Sequence, residues 1–266
     1  MRRPSFSIRY LVAFVGLAVL ALAFVSLGNW QLGRAAERDA IARAIEQGRR
    51  QAPLELAADT PADALVPWRP AQATGTLRHD LTVLVDNRMH DGRPGYWVAT
   101  PLLLPPADQR HAVLVLQGWI PRSGPGPQAR PALPTTSGPV TVRGELLEHV
   151  PRLFELWSFS GSADVQLPAR LPDPSRPMPV VQNVPLDAYA AASGLKLLPI
   201  VLAQTAPTSP DDSGVFQRQW PEPSLDSDKN RGYALQWFGF TAIAVIAWLA
   251  LAWHVLFRRK RPPQSS

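Results

Sequence analysis

Ser26-Leu27-Gly28-Asn29-Trp30-Gln31-Leu32-Gly33-Arg34 marks the point where an apolar run gives way to a polar one, and its reading decides the architecture. Upstream, residues 11–27 hold seventeen side chains without a charge. A counterpart lies near the other end: Arg231-Gly232-Tyr233-Ala234-Leu235-Gln236-Trp237-Phe238 leads into residues 237–257, twenty-one positions whose only ionisable group is His254. A helix needs about 20 residues to cross about 30 Å of hydrocarbon, so both runs read as membrane spans. Each meets its outer edge with a Trp-Gln pair in mirrored order, Trp30-Gln31 and Gln236-Trp237.

Arg2, Arg3 and Arg9 precede the first run, and Arg258, Arg259, Lys260 and Arg261 follow the second. Basic residues abutting the inner ends of spans place both termini in the cytoplasm. The outer flanks also carry Arg34, Arg38, Arg43, Arg218, Lys229 and Arg231, so the density of charge at the span ends decides the orientation, not the count. The chain then divides into a cytoplasmic tail (1–10), a first span (11–27), a β-rich domain with a helical stalk (28–236), a second span (237–257) and a basic cytoplasmic tail (258–266). The long middle segment faces the periplasm of a bacterial inner membrane. Residues 1–27, with Ala21-Leu22-Ala23, also fit a cleavable signal. The apolar run continues through Phe24, Val25 and Leu27 into helix-compatible sequence, which favours retention.

Seven of the 27 Lys and Arg sit in the two tails, leaving twenty to face all 21 Asp and Glu in the middle segment. The formal charge of +6 therefore belongs to the tails, which suit an anionic leaflet. Nucleic-acid binding needs a basic patch on the folded domain and is not expected. With no cysteine, thiolate metal sites and disulfides are excluded.

Residues 30–47 read as an Ala-rich helix with Trp30, Ile41 and Ile45 near one face and Gly48 as a stop. β-rich runs follow at 71–77, 81–86, 95–104, 112–120, 140–147, 179–184 and 198–204, with Asp91-Gly92 as a hairpin turn. Such runs predict a mainly antiparallel sheet or partly open barrel, and with two spans an α+β membrane protein. The Pro-rich stretches 121–139 and 168–179 read as irregular excursions from one domain. Residues 185–193 read as a short helix stopped by Gly194.

Catalytic signatures are missing. The sequence has no Walker loop, no Rossmann glycine fingerprint and no G-x-S-x-G elbow. His79, His90, His111 and His149 stand singly, without the i,i+4 spacing of a helical metal site, so no metal site is expected. Polar groups set into apolar strands are more informative: Val85-Asp86-Asn87-Arg88, Gly95-Tyr96-Trp97 and Gln117-Gly118-Trp119. Buried or half-buried, Asn87, Arg88, Tyr96, Gln117 and Trp119 must find partners. They form either a structural network, with Arg88 on a carboxylate or on helix-end carbonyls, or a recognition surface. At the outer membrane edge Trp30, Tyr233 and Trp237 suit interfacial anchoring, while Gln31, Arg34 and Gln236 can hydrogen-bond a neighbouring helix or a ligand. If the helices pair, the mirrored Trp-Gln edges become two halves of one site.

Taken in order, these motifs resemble the Surfeit locus protein 1 family, membrane proteins that assist assembly of cytochrome c oxidase. The series begins with Leu27-Gly28-Asn29-Trp30-Gln31-Leu32-Gly33-Arg34 and continues through Asn87-Arg88, Gly95-Tyr96, Thr100-Pro101-Leu102 and Gly118-Trp119-Ile120-Pro121. Phe154-Glu155-Leu156, Gln182-Asn183 with Ala188-Tyr189-Ala190, the run 197–204 and 232–238 complete it. The resemblance implies two membrane helices around a β-rich domain, subunit I of the oxidase and other assembly factors as partners, and a non-enzymatic role in delivering or stabilising a-type haem. It leaves haem A a candidate cofactor with one departure. Family members often carry a histidine three residues before the tyrosine of the Tyr-Ala motif, and that position here is Asn230. A membrane-anchored periplasmic small-ligand or sensor module, reading its ligand through Arg88 and Trp119, is the alternative.

Overall fold

The computed structural model describes residues 8–105, 110–122, 132–151, 167–175 and 178–257. The chain divides into two compact units, Met1–Arg43 with Pro223–Ser266, and Ala44–Glu222.

The first unit is a pair of antiparallel helices, α1 (Ile8–Arg49, whose last turns from Ala44 belong to the second unit) and α3 (Ser227–Phe257). Both are long and apolar enough to cross a membrane. The apolar run and the Ala-rich segment beyond it are thus one unbroken helix, and α3 begins about ten residues before the second apolar run, roughly 15 Å at 1.5 Å per residue. The helices meet along Phe14–Trp248 (5.1 Å), Phe24–Trp237 (5.8 Å) and Phe24–Phe240 (5.7 Å). Gly28 permits the approach, because a β-carbon there would lie 2.7 Å from the Phe238 ring. Small residues at such crossings let packing supply the attraction that apolar surroundings cannot. Of the three apolar residues expected on one face of the stalk, only Ile45 is buried; Trp30 and Ile41 are exposed.

The second unit carries β1 (Leu54–Leu56), β2 (Pro70–Leu77), β3 (Val83–His90), β4 (Arg93–Leu103), β5 (His111–Pro121), β6 (Val140–Leu147), β7 (Val180–Val181), α2 (Leu186–Ser193) and β8 (Lys196–Gln204). The strand order is β1-β2-β6-β8-β5-β4-β3-β7, and β2 also pairs with β4 through Thr76–Leu103 and Leu77–Leu102. That extra pairing closes β2, β6, β8, β5 and β4 into a five-stranded barrel. Most neighbours are antiparallel; β5–β8, β1–β2 and β3–β7 are parallel. The barrel is filled by alternate residues of its strands, among them Ala73, Leu102, Val115, Val142, Leu146 and Leu202. Closure pairs both edges of these five strands and leaves β1 and β7 at the ends of the strand order. The β3–β4 hairpin turns through Asp91-Gly92, both at positive φ (48° and 73°), as a two-residue turn requires.

On the outer face of β3, β4, β5 and β8 a second cluster forms under α2. Tyr189 of α2 is wholly buried there and donates its hydroxyl to the Leu81 carbonyl (2.5 Å). A third cluster, Leu84, Tyr96, Val98, Ile120 and Phe216, lies beyond the barrel on the opposite face. Pro-rich residues 132–139 have no regular structure. The Phe154-Glu155-Leu156 motif lies outside the described residues.

Candidate functional site

Two groups of polar residues stand out, one in each unit. In the helical unit, α1 and the start of α3 enclose an open cleft of about 450 Å³ lined by Trp30, Gln31, Arg34, Arg38, Lys229, Asn230 and Tyr233, with Ser224 and Asp226 from the entry to α3. Helical period explains the lining: Trp30, Arg34 and Arg38 recur every four residues on α1, as Lys229 and Tyr233 do on α3. Asn230 donates its side-chain amide to Gln31 Oε1 (2.7 Å), joining the helices, while its own Oδ1 is buried without a partner. Arg38 donates to the Asp226 carbonyl (2.6 Å), Arg34 pairs with Glu37 (2.8 Å), and the Asp226 carboxylate accepts the Lys229 amide (3.2 Å). A further tie, Arg231 to Asp39 (2.5 Å), locks the pair just outside the cleft.

The mirrored Trp-Gln pairs are therefore not equivalent. Trp30 and Gln31 line the cleft; Trp237 packs on Phe24 and Phe240, and Gln236 is exposed outside the lining. Four of the six expected edge residues, Trp30, Gln31, Arg34 and Tyr233, come together with Asn230. Arg38, Ser224, Asp226 and Lys229 were not among the expected residues. The i,i+4 spacing from Trp30 points to Arg38, whereas Ser224 and Asp226 arrive from non-helical chain that no periodicity marks.

A haem iron needs an axial ligand such as imidazole, thiolate, thioether or phenolate. Among the described residues the cleft is lined by no His, Cys or Met, and the Asn230 amide is committed to Gln31. Tyr233 is the one lining side chain of a ligating type, and no hydrogen-bonded base accompanies it among the described residues. The cations suit carboxylates, but the lining does not fit haem iron.

In the barrel unit the expected network divides three ways. Asn87 occupies a left-handed position (φ 59°) at a bulge between Val85 and Arg88, its amide bonded to Asp86 Oδ1 (2.7 Å). Asn tolerates this conformation better than most residues. The extra residue resets the alternation, so Arg88 turns inward and is 4% exposed while Asn87 points out. The Arg88 guanidinium lies 4.3 Å over the Trp97 ring and donates to the Gln182 carbonyl (3.1 Å), and its Nε has no partner. No carboxylate pairs with it among the described residues. Burial pushes its pKa down to about 10, with Asp86 opposing. Trp119 donates its indole N–H to the Arg88 carbonyl (2.8 Å) and lies 5.0 Å from the His90 ring.

Tyr96 faces the other way, under Arg122 (5.3 Å), which pairs with Asp86 (2.5 Å). Gln117 is the bulged residue of β5 and accepts the Thr100 hydroxyl (2.8 Å), which in turn meets Thr82 (2.8 Å). Next to it, Gly118 (φ 150°) lets residues 216–217 cross: a β-carbon there would lie 2.6 Å from Phe216 Cβ. Trp119 and Gln217 then exchange two backbone bonds (2.7 and 2.9 Å). Arg88, Trp97 and Trp119 form one group, Tyr96 and Asn87 meet at Asp86 through Arg122 and the Asn87 amide, and Gln117 serves a third with Thr100 and Thr82.

The fold defines a two-span membrane protein with a small closed β-barrel encoded between the two helices in the sequence. The family model for the SURF1 family matches residues 18–242, from within the first apolar run to within the second, and the chain belongs to that family. A SURF1-like protein of Monosiga brevicollis is 26% identical over 238 residues, spanning 85% of this chain and 82% of that one.

Proposed function

We propose that this protein is a non-enzymatic assembly factor for cytochrome c oxidase, assisting delivery of a-type haem to subunit I or its stabilisation there. The observation that carries the reading is the extent of the family match, which runs across parts of both apolar helices and the whole barrel. The protein would work in a bacterial inner membrane with both termini in the cytoplasm and the barrel in the periplasm, in contact with subunit I and other assembly factors. Within this reading Gln31 and Asn230 hold the two helices in register, and the helix pair is the part of the chain that meets its partners in the membrane. No step requires iron bound by this chain.

Deleting the gene and recording reduced-minus-oxidised membrane spectra tests the role. The expected result is loss of a-type haem absorbance and of oxidase activity; unchanged values in a strain without a paralogue would refute it. Absorption spectra of the purified protein, made alongside haem A synthesis, test the division of labour. A parent without haem and an Asn230→His variant that gains it would place the iron ligand in the partner. The alternative, a small-ligand module, draws on Arg88. That guanidinium is stacked on Trp97 and bonded to the Gln182 backbone, which favours a structural role.

A further inference from the structure

The cleft between α1 and α3 holds more positive charge than its own carboxylates balance. Arg34, Arg38 and Lys229 line it; Arg34 is paired with Glu37 (2.8 Å), which leaves Arg38 and Lys229 against one lining carboxylate, Asp226. Arg38 is bonded to a carbonyl, and Lys229 has no side-chain partner among the described residues, so neither charge is neutralised by an ion pair. Its depth is equally telling. Trp30 lies about 4.5 Å beyond the end of the first apolar run and Tyr233 about 6 Å before the second, at about 1.5 Å per residue; Arg34 and Lys229 lie about 10–12 Å out. A bilayer's polar layer occupies roughly 5–8 Å on each side of its hydrocarbon. The two rings, 58% and 44% exposed, therefore sit at head-group level, and the long cationic side chains reach down from just above it.

We infer that this cleft binds the head group of an anionic glycerophospholipid, with the phosphodiester between Lys229, Arg38 and Arg34 and a head-group hydroxyl donating to Asn230 Oδ1. The hydroxyl completes the chemistry: Oδ1 is buried without a donor, and a phosphodiester alone offers none. Trp30 and Tyr233 flank the glycerol region, where amphipathic rings are favoured. The inference does not rest on the oxidase role, since a lipid holding two helices together serves any partner.

The test uses the full chain in detergent, titrated with phosphatidylglycerol, phosphatidylcholine or inorganic phosphate and read by native mass spectrometry. Phosphatidylglycerol should be retained at least about tenfold more tightly than phosphatidylcholine, and inorganic phosphate should not displace it. Each cation removed should cost about fivefold, and Arg38→Gln with Lys229→Gln about thirtyfold, from the typical worth of a basic residue at a membrane surface. Arg50→Gln, on an exposed i,i+4 pair in the other unit, should leave retention unchanged. Asn230→Leu should weaken phosphatidylglycerol but not phosphatidylmethanol, which lacks the hydroxyl. Equal retention of the anionic and zwitterionic lipids overturns the inference, and so does displacement by inorganic phosphate, which would mark a simple anion site. An unweakened double variant overturns it too. If that variant does not fold, the comparison of lipids on the parent protein still decides.

Discussion

Replacing Gly118 with alanine should destabilise the barrel unit by about 4 kcal/mol, and the structure separates the causes. The residue has φ 150°, which side chains other than hydrogen rarely adopt, and holding a non-glycine in a sparsely populated region costs about 1–3 kcal/mol. The added methyl would also lie 2.6 Å from Phe216 Cβ and 3.0 Å from the Gln217 carbonyl. Neither obstacle is the free end of a flexible side chain, so residues 216–217 must move. Moving them endangers the two backbone bonds between Trp119 and Gln217, each worth about 1 kcal/mol net. Gly92→Ala is the matched control, because Gly92 also has positive φ (73°) but open space around its missing β-carbon, and should cost only about 1 kcal/mol. Urea unfolding in detergent gives both values, and amide exchange localises the loss at Trp119 and Gln217. If Gly118→Ala falls within about 0.5 kcal/mol of Gly92→Ala, or if those two amides stay protected, the crossing is not held as described.

Three further outcomes follow from single contacts. Trp119→Phe removes the donor to the buried Arg88 carbonyl and leaves a partial cavity, so unfolding should be easier by about 2–4 kcal/mol in the same urea assay. Tyr189→Phe keeps the ring but strands the Leu81 carbonyl under α2, costing about 1–3 kcal/mol by thermal unfolding. Burial holds the His79 imidazole below its usual pKa of 6.5 while its Nε2 accepts the Thr136 amide (3.1 Å). Between that lowered value and 6.5 the unfolded chain binds more protons than the folded one, so stability should fall as pH drops below about 6.5 and level off once both states are protonated. His79→Gln should flatten that slope, and an NMR titration placing the ring at or above 6.5 would contradict it.

Local pattern made much of the fold legible. Residues 140–147 alternate as far as Leu146 and form β6 at those bounds, and Gly194, at positive φ (70°), ends α2 where the sequence places the stop. β1 escaped notice because three residues carry too little alternation to read. β3 runs to His90, past the expected end at 86, because Asp86-Asn87-Arg88 looks like the close of a strand yet is a bulge that restarts it. Closure of the barrel depends on the β2–β4 pairing and on β8 lying between β5 and β6, both products of distant sequence. The site followed the same rule. Residues in helical register, Trp30, Gln31, Arg34 and Tyr233, were readable as an edge, whereas the turning of Trp237 toward Phe24 depends on how two helices rotate against each other.

The place of β8 in the barrel has a consequence for the order in which the chain is made. β5 and β6 are synthesised as neighbours in sequence but are not paired with each other; Lys196–Gln204 fits between them, antiparallel to one and parallel to the other. Until residue 204 has emerged, β5 and β6 each present one unpaired edge, and the sheet β6-β2-β4-β5 cannot close into a barrel. The β unit therefore completes itself only when about three quarters of the polypeptide has been delivered, shortly before α3 begins. A chain stalled between β6 and β8 would be an open four-stranded sheet on a membrane tether, with two bare edges exposed to mispairing and proteolysis.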